Sequence, residues 1–159
     1  MVLPRRSFLA FGLASVLGAC TGPRRVAEDA APLVHSGLYP GETPQMRALI
    51  NKYAAIHDIP PSLLHRVIQR ESDYNAGARN GPYWGLMQIL PQTAATMGHR
   101  GPPQELLDAE TNLEYAGRYL RGAWLVSNGS EDRAVMWYAK GYYYEAKRRG
   151  LLYETGLRS

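Results

Sequence analysis

What most limits the fold of this chain is its helix punctuation: prolines stand just ahead of apolar residues that recur every three or four positions, and strand-like alternation is nearly absent. Thr43-Pro44 offers an N-cap with proline at the first helical position, followed by Met46, Leu49, Ile50 and Tyr53 at helical spacing. Pro60-Pro61 opens a second helix with Leu63, Leu64, Val67 and Ile68, and Pro91 a short third one ending at Met97-Gly98. Asp108 or Thr111 begins a longer helix with Leu113, Ala116, Leu120, Ala123 and Trp124 on one face, closing near Asn128-Gly129. Ser130 caps the last, which runs from Glu131 and Asp132 at its positive end to Lys147, Arg148 and Arg149 at its negative end. One extended piece is expected, around Tyr83 to Ile89. These signals predict a mainly α domain, and 159 residues with 45% apolar content suit one core.

The N-terminus is of another kind. Arg5 and Arg6 precede a run of small and apolar residues, Ser7 to Ala19, that is short for a bilayer span. Pro4-Arg5-Arg6-Ser7-Phe8-Leu9 resembles a twin-arginine export motif, and Leu17-Gly18-Ala19-Cys20 resembles a lipobox. Cys20 is the chain's single cysteine, so no internal disulfide is available to it. The expected organisation is an export signal over 1–19, acylation at Cys20, a flexible linker over 20–43 containing Pro23, Pro32 and Pro40, and a helical domain over 44–159. The product would be an exported, membrane-anchored monomer on the periplasmic face of a bacterial envelope. Without Arg5 and Arg6 the chain has 16 basic against 14 acidic residues, too even a balance for a nucleic-acid partner argued from charge.

Leu64, Ile68 and Glu71 are spaced i, i+4, i+7, which puts a carboxylate on the stripe that faces the core. At the edge of that core Glu71 would be partly desolvated, holding its proton toward neutral pH as a general acid must. If the helix ends there, Glu71 can equally turn into water. Asp73 is two residues on and points elsewhere on a continuing helix, so it cannot complete the carboxylate pair of an ordinary glycosidase. The histidines His35, His57, His65 and His99 lack metal-ligand spacing, and no glycine-rich phosphate loop follows a strand, so neither metal nor cofactor is expected.

Four blocks in order carry a resemblance. Leu64 to Asn75 resembles the Glu-Ser block of the soluble lytic transglycosylase (SLT) family, and Gly85-Leu86-Met87-Gln88-Ile89-Leu90-Pro91 its Gly-Leu-Met-Gln block. Asn112-Leu113 with Tyr119-Leu120 is similar to the family's Asn-Ile…Tyr-Leu helix, and Tyr138-Ala139-Lys140-Gly141 stands where the family has Tyr-Asn-Ala-Gly. The resemblance implies a lysozyme-like α fold with a glycan groove, cleavage of peptidoglycan strands, and Glu71 as single acid and base. It also implies that Gln88 and Tyr138 are groove residues; Ser72 of the Glu-Ser block and Asn80, where the family often has a serine that helps hold the substrate, are counted with them. Gln88 could instead tie loop to helix, and Tyr138 could be a core ring capping a carbonyl. Tyr83 and Trp84 are candidates to stack on sugars, and Trp137 with Tyr142, Tyr143 and Tyr144 makes a second aromatic patch.

The chain departs from the family pattern at Asn80, where a serine is common, at Ala139 in place of asparagine, and at Ala116 in place of glycine. Two alternatives stay open: a muramidase that hydrolyses the same bond, and a silent peptidoglycan-binding lipoprotein.

Overall fold

The computed structural model describes residues 37–158. The expected signal 1–19, Arg5, Arg6 and the acylation site Cys20 lie outside the described residues, as does His35. The helices are α1 (Pro44–His57), α2 (Pro61–Glu71), α3 (Pro91–Thr96), α4 (Ala109–Val126), α5 (Glu131–Lys140) and α6 (Tyr143–Arg149), with a 3-10 turn at Pro103–Leu107 before α4. Between α2 and α3 lies a small antiparallel hairpin, β1 (Arg79–Asn80) and β2 (Tyr83–Trp84), in which Arg79 faces Trp84 and Asn80 faces Tyr83.

Side chains close the helix starts as the punctuation demands. Thr43 accepts from the Met46 amide at 3.1 Å, Asp108 from Thr111 at 2.8 Å, and Ser130 from Arg133 at 3.4 Å. Asp108, not Thr111, is therefore the cap of α4. Each bond satisfies one of the amides left over at a helix start, an effect of about 1 kcal/mol per cap.

The packing centre is α4, which touches α1, α3, α5, α6 and the 3-10 turn. Its buried face, Leu113, Ala116, Leu120 and Ala123, belongs to one core with Ile50 and Ala54 of α1 and Leu63, Leu64, Val67 and Ile68 of α2. On the other side α2 meets α5, where Ser62 and Arg66 reach Glu131 and Asp132 at the positive end of α5.

Two expectations are corrected here. The last helix is two helices: Gly141 sits at φ +81°, outside the helical region, and ends α5 before α6 starts at Tyr143. That break lets Tyr142 turn inward, fully buried, where its hydroxyl donates to the Tyr119 carbonyl at 2.8 Å. The expected linker also stops short of residue 43, because its last residues are packed. Glu42 is buried and forms a two-pronged ion pair with Arg47 at 2.5 Å, and it accepts from the Tyr39 amide at 2.9 Å. The Tyr39 ring lies 4.9 Å from His65 and 6.3 Å from Tyr74, whose hydroxyl is 2.8 Å from His65 Nδ1. Burial acts to raise the Glu42 pKa, but the bonds from Arg47 and Tyr39 and the nearby His65 outweigh it, and the carboxyl is held below its usual range.

Candidate active site

Helix α2 delivers Glu71 as its last residue. Beyond it the chain turns sharply, with Asp73 and Tyr74 at φ +50° and +66°, so Glu71 stands at the lip of the core with its side chain 23% exposed. Both sequence readings hold in part, since the carboxylate is neither submerged nor free in solvent. Desolvation pushes its pKa above the ordinary carboxylate range, and the guanidinium of Arg70, 3.5 Å from Glu71 Oε1, pulls the other way without cancelling it.

The facing wall is the turn after β2. Trp84 and Ile89 pair through both backbone bonds at 3.1 Å, and the Gln88 amide closes the turn onto Gly85 at 3.1 Å. Gly85 takes φ +76°, and a Cβ there would lie 2.0 Å from the Leu106 carbonyl oxygen, so the close approach of turn and 3-10 segment needs glycine. Leu86 and Met87 point into the core, while Gln88, at φ +49°, stands on the cavity wall. A non-glycine residue in that region costs of order 1 kcal/mol and is held here by the side chain itself. Gln88 Nε2 donates to the carbonyls of Gly85 at 2.8 Å and Ala78 at 3.1 Å.

Glu71, Arg70, Asn80, Tyr83, Gln88, Tyr138 and Ala139 enclose a cavity of about 320 Å³. A second chamber of about 200 Å³ shares Tyr83, Gln88, Tyr138 and Ala139 with it and is lined also by Thr93, Tyr119, Lys140 and Gly141. Glu71 is the one carboxylate among the described residues that line either chamber. Tyr138 lines both: its buried hydroxyl donates to the Met87 carbonyl at 2.8 Å and its ring meets Tyr119 edge-on. Burial first, and then the negative charge of Glu71, raise the Tyr138 pKa, so it stays a neutral phenol whose oxygen can still accept a bond.

The four motif blocks thus contribute, from α2, the turn, α4 and α5, to the walls of these two adjacent chambers, and the profile of the transglycosylase SLT domain matches residues 48–153. The chain belongs to the transglycosylase SLT family. No solved structure matches it. Membership makes the domain a lysozyme-like helical one with a peptidoglycan-acting function of the lytic transglycosylase type.

Within this SLT domain, Glu71, Gln88, Tyr138 and Asn80 are brought together as expected, and two expected site residues are not. Trp84 does not line the cavity. Side chains alternate across β2, so with Tyr83 turned to the cavity Trp84 must face inward, where it is buried with the Arg79 guanidinium 3.9 Å above its ring. Ser72 does not line it either. Its hydroxyl donates to the Leu86 carbonyl at 2.6 Å and so ties the end of α2 to the turn. Tyr142 is core, and Tyr143 and Tyr144 are exposed as an edge-on pair that lines neither chamber.

Arg70 and Asn112 also shape the cavity, although neither is among the expected site residues. Arg70 is cavity wall. Asn112, fully buried on α4, donates to the carbonyls of Trp84 at 3.0 Å and Leu106 at 2.8 Å and accepts from the Met87 amide at 2.9 Å. The signal was an asparagine next to Leu113 on an otherwise apolar helix face.

Proposed function

We propose that the domain cleaves the β-1,4 bond between N-acetylmuramic acid and N-acetylglucosamine and leaves 1,6-anhydro-N-acetylmuramic acid, with Glu71 performing both proton transfers. The observation that supports this is a single half-buried carboxylic acid with a raised pKa on a cavity that has no second carboxylate among its described lining residues. Protonated Glu71 gives its proton to the glycosidic oxygen, the C1–O bond breaks, and the N-acetylglucosamine fragment leaves as an alcohol. The positive charge developing at C1 has no protein carboxylate to meet it, so the substrate's own N-acetyl oxygen does so, as in substrate-assisted glycosidases. Glu71, now ionised, removes the proton from the C6 hydroxyl, whose oxygen then attacks C1 and displaces the acetamido oxygen. The acid is regenerated and no water is consumed.

Gln88, whose two Nε2 hydrogens are taken by backbone carbonyls, offers its Oε1 as an acceptor to sugar substituents, Asn80 offers an amide, and Tyr83 offers an exposed ring. Mass spectrometry of products from purified peptidoglycan tests the reading. Anhydro ends are expected; reducing muramic acid ends would mean a muramidase, and no cleavage would mean a silent binding protein.

We further propose that the chain is exported, cut before Cys20 and acylated there, on the strength of Leu17-Gly18-Ala19-Cys20 behind an arginine-led apolar run. Firm anchoring takes more than one acyl chain, as bacterial lipoproteins carry. Cells fed a fatty-acid analogue should label the wild type and not Cys20→Ala; equal labelling of both would remove the anchor.

A further inference from the structure

The lining of the second chamber includes a cation that the reaction does not use. Lys140 is the last residue of α5, the chain leaves the helix at Gly141, and both line the second chamber. It is exposed and has no ion-pair or hydrogen-bond partner among the described residues. Arginines elsewhere in the fold, Arg66, Arg118, Arg121, Arg148 and Arg149, have carboxylate partners. The second chamber carries no acidic lining residue among the described residues, and it borders the Glu71 cavity, sharing four lining residues with it. A strand seated with its scissile bond at Glu71 and continuing along the wall formed by Tyr83, Gln88, Tyr138 and Ala139 therefore arrives at an unpaired positive charge.

We propose that Lys140 is a specificity-determining residue that receives a carboxylate borne by the glycan in the second chamber, so that the domain distinguishes acidic strands from neutral ones. The inference rests on the peptidoglycan reading above and deepens it. Muramic acid is the sugar that brings acid into such a strand, in one of two forms. A naked strand carries the free lactyl carboxylate, whereas a substituted strand has that group amidated and carries the carboxylates of its stem peptide instead. A polymer of N-acetylglucosamine alone carries neither. An exposed ammonium suits either form: it is a compact charge with three donors on a flexible stem, and it loses little hydration on meeting a carboxylate at the cavity edge. The small side chain of Ala139, next to Lys140 and common to both chambers, leaves room for a substituent on the sugar ring.

The test is calorimetric binding to full-length Glu71→Gln protein, alone and combined with Lys140→Met or Lys140→Arg. Three probes are used: uncrosslinked strands bearing stem peptides, the same strands after enzymatic removal of the peptides, and N-acetylglucosamine oligomers of matched length. Lys140→Met is expected to lower the ratio of acidic-strand to neutral-oligomer affinity by about two- to fivefold, the size of one exposed ion pair. Added salt should shrink the ratio in the parent protein and not in Lys140→Met, and Lys140→Arg should keep it. Whichever acidic probe suffers the loss identifies the carboxylate. An unchanged ratio in Lys140→Met overturns the proposal while the cleavage assay leaves the enzymatic reading standing. Failure of the parent protein to bind any of the three probes overturns both.

Discussion

Glu71→Gln is expected to fold, to bind glycan strands, and to lose at least about a thousandfold in turnover. General acid-base catalysis by a placed side chain is worth about 10² to 10⁴ in rate, and here the same atom pair is asked for protonation of the leaving oxygen and deprotonation of the C6 hydroxyl. An amide does neither at neutral pH, yet it has the size and planarity of the carboxyl it replaces, so the cavity wall is retained. A thousandfold loss corresponds to about 4 kcal/mol of transition-state stabilisation. The check is a paired measurement of product release and strand binding; a variant that still turns over at a tenth of the parent rate would remove Glu71 from the chemistry and leave both enzymatic readings without an acid.

The same substitution has a second signature, in stability. Burial holds the folded-state pKa of Glu71 above the ordinary glutamate value of 4.5. In the unfolded chain the group ionises first, so as pH rises the folded form binds the proton longer and pays for ionisation in a half-dry setting. The contribution is fully present below the unfolded pKa and is lost as pH rises through the folded pKa. Glutamine has no such loss. The Tm difference, variant minus parent, should therefore become more positive from pH 4 to pH 8, which scanning calorimetry resolves; a flat difference would mean that Glu71 is as solvated folded as unfolded.

Local signals in the sequence were followed by the structure closely, and long-range ones were not. Thr43, Asp108 and Ser130 cap because their partners are three residues away, and Pro44, Pro61 and Pro91 open helices because proline lacks only an amide the first turn would leave unbonded. Gly141 broke a helix that periodicity read as continuous, since its neighbours are apolar at acceptable helical spacing on both sides; what decides is the pocket for Tyr142 beneath Tyr119. The packing of Tyr39 and Glu42 was hidden for the same reason. A segment with Pro40 and Gly41 looks like linker until His65 and Tyr74, from two other parts of the chain, supply a surface for it. At the cavity, the motif order announced Glu71, Gln88 and Tyr138. The choice between Tyr83 and Trp84 hung on which side of β2 faces the cavity, and the hairpin that fixes it is two residues per strand, too short for its alternation to be read from sequence.

The buried asparagine on α4 is where stability and the cavity meet, and Asn112→Ala is expected to cost about 3 to 5 kcal/mol. The side chain satisfies three backbone groups at once, the Met87 amide and the Trp84 and Leu106 carbonyls, and is itself inaccessible to water. Truncation leaves those groups without a partner in the core, at about 1 to 3 kcal/mol for each, less whatever a water in the vacated space restores. For a domain of this size that is a fall in Tm of roughly 10 to 20 °C. Met87 also carries the acceptor for Tyr138 and precedes Gln88, so the variant should bind glycan more weakly even at temperatures where it is folded. A fall of under about 3 °C with unchanged binding would mean that the turn is held by its own hydrogen bonds. Asn112→Asp separates the donor role from the acceptor role. An ionised aspartate can still accept from Met87 but faces two carbonyl oxygens with nothing to donate, so it will retain its proton in the folded state; once protonated, its single hydroxyl can serve one of the two carbonyls. Its folded pKa is then raised, and by the linkage used for Glu71 the variant should approach the parent at acid pH and fall away as pH rises through that value. Asn112→Ala, with no group to titrate, should show no such recovery in acid, which makes the two melting profiles a direct reading of how much of the turn depends on the donated bonds.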